Sequence, residues 1–166
     1  MRRLIGFILP MALVAVISLQ SCSDDSTTSP NTPSTQSLYT RLGGSAAIDT
    51  VVAVFINNVA ADPQINFFFA PVLADTTGVR YRLLRQNLVQ QICMVTAGPC
   101  LYLGKDMRKA HSGMGITAAQ FNALVNDLVM AMTTLGVATT EQNDLLAILG
   151  PLCGDIVDNG AGTGCP

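Results

Sequence analysis

Apolar residues that recur every three or four positions constrain this chain more than any other feature. Ile48, Val51, Val52, Phe55, Ile56 and Val59 fall at i, i+3, i+4, i+7, i+8 and i+11, a complete stripe on one helix face. Tyr81, Leu84, Leu88, Ile92 and Val95 form a second stripe and predict a helix over Arg80–Val95. A third runs from Phe121 through Leu124, Val125, Leu128, Val129 and Met132 to Leu135 and predicts a helix over Ala118–Leu135. Leu145, Ile148, Leu149 and Leu152 make the fourth. No alternating pattern competes with these stripes, and no internal repeat is evident. The fold class is all-α, with helices burying their stripes against one another.

Punctuation residues divide the stripes. Gly43-Gly44 predicts a sharp corner between a short helix over Leu38–Leu42 and a helix capped by Ser45. Asp62-Pro63 predicts a new turn with Pro63 at the first helical position. Phe67, Phe68 and Phe69 stand together and would wall a core, and residues 71–77 read as a loop. Ala97-Gly98-Pro99 closes the second long helix, with Gly98 as a left-handed cap. A short helix is expected over Lys105–Ala110. Thr117-Ala-Ala-Gln120 and Thr139-Thr-Glu-Gln142 both have capping-box spacing, and Gly150-Pro151 predicts a kink in the last helix.

The N-terminal part obeys different rules. Met1-Arg2-Arg3 is basic, Leu4 to Leu19 is almost wholly apolar, and small residues follow. This is a secretory signal pattern, and a run of about 16 residues is shorter than the roughly 20 that a permanent span needs. Leu19-Gln20-Ser21-Cys22 resembles a bacterial lipobox, which implies a lipid on Cys22 and an exported, membrane-anchored chain facing the periplasm or cell exterior. Residues 1–21 are thus expected to be a lipoprotein signal peptide. Residues 22–36, rich in Ser, Thr, Asp and Pro, are a tether unable to bury enough surface to order itself. Residues 37–158 form one domain, followed by a Gly-rich coil over 159–166. No second apolar run is expected to span a membrane.

The hydrophobic fraction, 49%, is partly that of the signal, and the net charge is only −2. Without a basic stripe or any Trp, the sequence argues against a nucleic-acid partner. Beyond Cys22 there are four cysteines, Cys93, Cys100, Cys153 and Cys165. An even count in an exported chain favours disulfides, of which Cys93–Cys100 with Cys153–Cys165 is the local pairing among three. The absence of any CxxC spacing argues against a thiolate metal site.

His111 is the single histidine, within Tyr102-Leu-Gly-Lys-Asp-Met-Arg-Lys-Ala-His111-Ser-Gly-Met-Gly-Ile-Thr117. Alone, a histidine is more often a surface or core residue than a metal ligand. Its company is more specific. Ser37-Leu-Tyr-Thr-Arg-Leu-Gly-Gly44, Val54-Phe-Ile-Asn-Asn-Val-Ala-Ala-Asp-Pro63 and Phe68-Phe69 come first. Ala97-Gly-Pro99, Tyr102-Leu-Gly104, Met107-Arg-Lys-Ala-His111 and Gly113-Met-Gly-Ile-Thr117 follow. In this order the set resembles the group I truncated haemoglobins over roughly Ser37 to Val157.

The resemblance implies a truncated globin-like two-over-two helical sandwich around haem b, with iron held by His111 as proximal ligand. It implies haem contacts from Met107, one turn before His111, and from Phe68, Phe69, Phe55 and Ile116. Lys105 and Arg108 are placed for the haem propionates. On the opposite wall Ile56 stands where the family usually has Tyr, and Leu84 and Leu88 occupy the ridge that often carries Gln, with Gln90 and Gln91 to the side. Bound oxygen is held by hydrogen-bond donors, so an apolar wall is expected to hold it less tightly. A Cys93–Cys100 bridge would fix the helix of that wall against the segment leading to His111. Loops of about 8 and 13 residues, if bridged, contribute roughly 2–3 kcal/mol each.

Three functions follow from these expectations. The first is a lipid-anchored haem protein that binds oxygen, NO or another diatomic gas. The second is a haem-based redox enzyme for NO, nitrite or peroxide chemistry, which needs a reductase that the sequence does not name. The third is a helical lipoprotein with no haem.

Overall fold

The computed structural model describes residues 36–157 and 164–165. The expected signal peptide, its cleavage site, Cys22 and nearly all of the tether lie outside these residues, as does most of the C-terminal coil. The described part is helical: α1 (Leu38–Arg41), α2 (Gly44–Ala61), α3 (Ala70–Leu73), α4 (Val79–Val95), α5 (Met107–His111), α6 (Ala118–Thr134), α7 (Thr139–Leu149) and α8 (Cys153–Ile156). A 3₁₀ turn over Asn66–Phe69 precedes α3, and another over Gly150–Leu152 makes the kink expected at Gly150-Pro151.

α2 is the central helix and packs on both α4 and α6, and α6 also meets α7. This is the two-over-two arrangement. The α2 stripe is buried throughout, with Val52 wholly inaccessible. Met132 of α6 and Leu145 of α7 close the same core. By length and composition α2 is apolar enough to cross a membrane, contrary to the expectation that no second run would be. Its apolar face is instead the centre of the domain core.

A second, smaller cluster joins Ile116, Phe121, Cys153 and Ile156, with Met107 packed against it. α5 therefore rests on α8 and on the start of α6. The sulfurs of Cys93 and Cys100, and those of Cys153 and Cys165, are paired at Cα separations of 5.7 and 5.8 Å.

Several boundaries differ from the sequence expectation. Helix α2 begins at Gly44 after a left-handed Gly43, so Ser45 is inside the helix and not its cap. The Ser45 N–H donates to the Tyr39 hydroxyl at 3.0 Å instead. Pro63 lies in a turn and starts no helix, whereas Pro71 opens α3 inside the expected loop. Thr117 and Gln120 form a full capping box. The second expected box is absent: Ala138 precedes α7, and Thr139 is already helical. Arg41 ties α1 to α7 through Glu141 at 2.7 Å and through Asp144. Arg85 of α4 makes a bidentate pair with Asp49 of α2 at 2.7 and 2.6 Å.

The end of α4 shows what glycine is for. The left-handed residue is Ala97, with φ +62°, and Gly98 has an ordinary φ. A Cβ on Gly98 would stand 2.5 Å from the Tyr39 ring and 2.7 Å from both the Cys93 carbonyl oxygen and its sulfur. The residue is glycine because three groups converge on it. Gly98→Ala is expected to lower stability by about 1–3 kcal/mol through overpacking, read as a lower urea midpoint with an unchanged slope. Gly150→Ala, where an added Cβ meets nothing within 4 Å, should shift the midpoint far less.

Candidate functional site

One cavity of about 910 Å³ opens between α4, α5 and α6, with the Phe68-Phe69 segment and the end of α7 completing it. It is within the size of pockets that take small molecules and cofactors, about 300–1,000 Å³. Its lining is mainly aliphatic and aromatic side chains, which disfavours water inside. No carboxylate lines it among the described residues, and Lys105 is its one Lys or Arg.

His111 reaches this cavity from the last turn of α5. The helix is short, and its start is fixed by Asp106, whose side chain accepts from the Lys109 N–H at 3.0 Å. That hydrogen bond holds the Asp106 carboxyl below its ordinary range. One turn on, His111 Nδ1 lies 2.8 Å from the Met107 carbonyl oxygen. A carbonyl only accepts, so Nδ1 carries the proton and Nε2 keeps its lone pair. This is the tautomer a metal needs, set by an outer hydrogen bond.

The loop before α5 is built around Tyr102. Its hydroxyl donates to the Lys105 carbonyl at 2.8 Å, and its ring covers Gly104, where a Cβ would fall 2.3 Å from the hydroxyl oxygen. Burial pushes the phenol's pKa up, so it stays a donor. The loop so folded brings Tyr102 and Lys105 to the cavity.

Of the residues singled out in the sequence, Phe55, Phe68, Phe69, Leu84, Leu88, Lys105, Met107, Ile116 and His111 do line the cavity. Two do not. Ile56 is 3% exposed and packed in the domain core, so Phe55 forms the α2 part of the wall. Arg108, with its side chain 75% exposed, pairs with Asp155 at 2.5 Å and is absent from the cavity wall.

The sequence set Gln91 to the side of this wall and did not single out Asn87. Asn87 and Gln91 line the cavity, and Gln91 Nε2 approaches Met107 Sδ at 3.4 Å. The α4 wall therefore carries two amides, and the expectation of a wholly apolar wall is corrected. Phe121, Leu124, Val125 and Leu128 of α6 also face the cavity, although their stripe reads as plain core.

Haem fits these residues. Its flat apolar body suits the aliphatic and aromatic walls, its acidic edge suits Lys105, and its iron suits a neutral imidazole. A free metal ion does not fit, because no group of three or more His, Cys, Asp or Glu residues occurs among the described residues.

Comparison with known proteins agrees. A sequence model of the bacterial-like globins matches residues 37–157. The chain is 32% identical to a group 1 truncated haemoglobin from Mycolicibacterium paratuberculosis over 126 residues, 76% of this chain and 88% of that relative. It superposes on the Fe(III) truncated haemoglobin of Tetrahymena pyriformis with a TM-score of 0.66 and 27% identity, covering 74% of this chain and 98% of the other. For a Synechococcus 2/2 haemoglobin, solved in the cyanomet state with covalently attached haem, the values are 0.65, 28%, 75% and 100%.

Asp106→Ala removes the side chain that starts α5 and should let His111 wander. The expected result is a severalfold faster loss of haem to an acceptor protein, with the far-UV helical signal nearly unchanged. Because the carboxyl titrates below its ordinary value, its contribution is present above that value and fades as pH falls through the lowered one. The difference between wild type and variant should therefore be full at neutral pH and shrink in acid.

Proposed function

This chain belongs to the bacterial-like globins, among the group 1 truncated haemoglobins, and from that premise we propose that His111 is the proximal ligand through which it holds haem iron. The protein is a haem-binding globin that binds oxygen or another diatomic gas. Haem supplies the iron to which such a gas binds. The chain supplies a dry, shaped cavity and one basic nitrogen within it. The observation that carries the assignment is His111 itself, in the cavity wall with Nδ1 engaged by the Met107 carbonyl. No second histidine exists to take its place. Met107 and Phe69, which line the cavity, would pack on the haem ring, and Lys105 would pair with a propionate.

The same reading extends to where the protein works. A basic start, a short apolar run and Leu19-Gln20-Ser21-Cys22 support export and acylation of Cys22, with the globin held outside the cytoplasm by a polar tether. Disulfides Cys93–Cys100 and Cys153–Cys165 suit that compartment. The first joins the end of α4 to the loop that carries Tyr102 and Lys105 to the cavity.

Two experiments test these assignments. His111→Ala should lose the Soret band after haem reconstitution and gel filtration, and retention equal to wild type would mean that another side chain holds the iron. Mass spectrometry of the non-reduced protein from membranes should find a chain that begins at an acylated Cys22 and carries two disulfides. An unacylated start, or free thiols at these cysteines, would contradict the export reading.

A further inference from the structure

The most exposed large apolar side chains among the described residues are Leu101 and Leu103, at 69% and 76%. They end an apolar strip that is continuous along the chain. From Met94 to Leu103 every exposed residue is apolar, namely Met94, Ala97, Pro99, Leu101 and Leu103. No charged residue occurs between Arg85 and Lys105. Single exposed leucines are ordinary on a protein surface, but a contiguous apolar strip marks a contact surface.

The fold holds the strip in this posture. The Cys93–Cys100 bridge closes it on itself, with the two Cα atoms 5.7 Å apart. The Tyr39 N–H donates to the Thr96 carbonyl at 2.9 Å. Tyr102, between the two leucines, turns to the haem cavity and donates its hydroxyl to the Lys105 carbonyl at 2.8 Å. The Tyr39 contact also sets the strip beside the start of the domain. Ser37, which caps α1, is two residues from Tyr39, at most about 7 Å of chain. The chain that leads back to Cys22 therefore joins the domain next to the strip. The 15 residues of 22–36 can span no more than about 54 Å, so an anchor at Cys22 confines the strip close to a bilayer.

Resting on the reading that Cys22 is acylated and the globin exported, we propose that this strip docks on the bilayer that holds the anchor, with Leu101 and Leu103 entering its interface. Binding of this kind scales with the apolar area buried. Five exposed residues would hold a free protein on a membrane only weakly. The anchor makes the contact intramolecular, so weak docking suffices. A second copy of the chain fits less well, because a stable protein interface takes about 20–30 residues a side. Electrostatics adds little. Just beyond the strip in sequence, Arg108 and Lys109 have side chains 75% and 81% exposed, but each is already paired, with Asp155 and Asp106. Docking would turn the Tyr102–Lys105 side of the haem cavity toward the bilayer, in which uncharged diatomic gases are more soluble than in water.

The test uses the haem-loaded chain from Cys22 onward, which contains the whole compact domain, Ser34–Pro166. It is coupled through the Cys22 thiol to a maleimide lipid in phosphatidylcholine nanodiscs. The other four cysteines are paired in disulfides and do not compete. In the ferrous carbon monoxide form, which is diamagnetic, leucine and methionine methyl NMR signals are compared with and without doxyl-labelled lipid. Signals of Leu101, Leu103 and Met94 should lose severalfold more intensity than those of Leu73 and Leu83, exposed leucines of α3 and of the start of α4. Leu101→Ser with Leu103→Ser should abolish the excess loss at Met94 while the chain folds and holds haem as before. Equal losses at both ends of α4, or an unchanged loss at Met94 in the double variant, would overturn the proposal. So would a dimer of the uncoupled chain that the same double substitution dissolves, since the strip would then cover a second copy. Acylation of Cys22 in the cell is read separately, by the mass of the membrane-derived chain, so failure of the anchor and failure of docking are told apart.

Discussion

The hydrogen bond from His111 Nδ1 to the Met107 carbonyl is the interaction on which the site depends. It does three things at once. It fixes the tautomer, it sets the ring's rotation about a short helix, and it leaves the other ring nitrogen unprotonated, as the proposed iron ligand must be. Everything nearby serves to hold that one turn in place. Asp106 starts it, Met107 anchors it to the cluster of Ile116, Phe121 and Ile156, and α8 supports it from below.

A large apolar cavity next to a small core is costly. Its lining loses the contacts that a packed interior would supply, a loss that grows with cavity volume. Bound haem would restore those contacts and, by binding the folded chain, would stabilise it by mass action. The rest of the fold is accordingly firm where the cavity is not. Helix α2 is buried along its full stripe, Arg85 grips Asp49 from α4, and Arg41 pins α1 to α7 through two carboxylates.

Much of this was legible in the sequence because a helix stripe is a local signal. The spacing from Ile48 to Val59 and from Phe121 to Leu135 states both the element and its buried face. His111 was legible because it is unique and stands among residues in family order. What was not legible depends on distant chain. Phe55 and Ile56 are adjacent and both apolar, and only the position of α4 and α6 decides which one meets the cavity. Arg108 has a partner 47 residues away, which no local pattern predicts. The left-handed residue is Ala97 and not the expected Gly98, which is glycine because the Tyr39 ring, from another helix, occupies the space over it. The α6 residues of the cavity look identical to core in sequence, since a wall facing haem and a wall facing leucine need the same side chains.

The single histidine makes a decisive measurement simple. Protein produced with nitrogen-15 histidine is labelled at His111 alone, and the ferrous, ligand-free form can be examined by resonance Raman spectroscopy. If His111 holds the iron, the low-frequency iron–histidine band is present and moves to lower frequency on labelling. A band that does not move, or no such band in protein that retains haem, would show that the iron is held by something else.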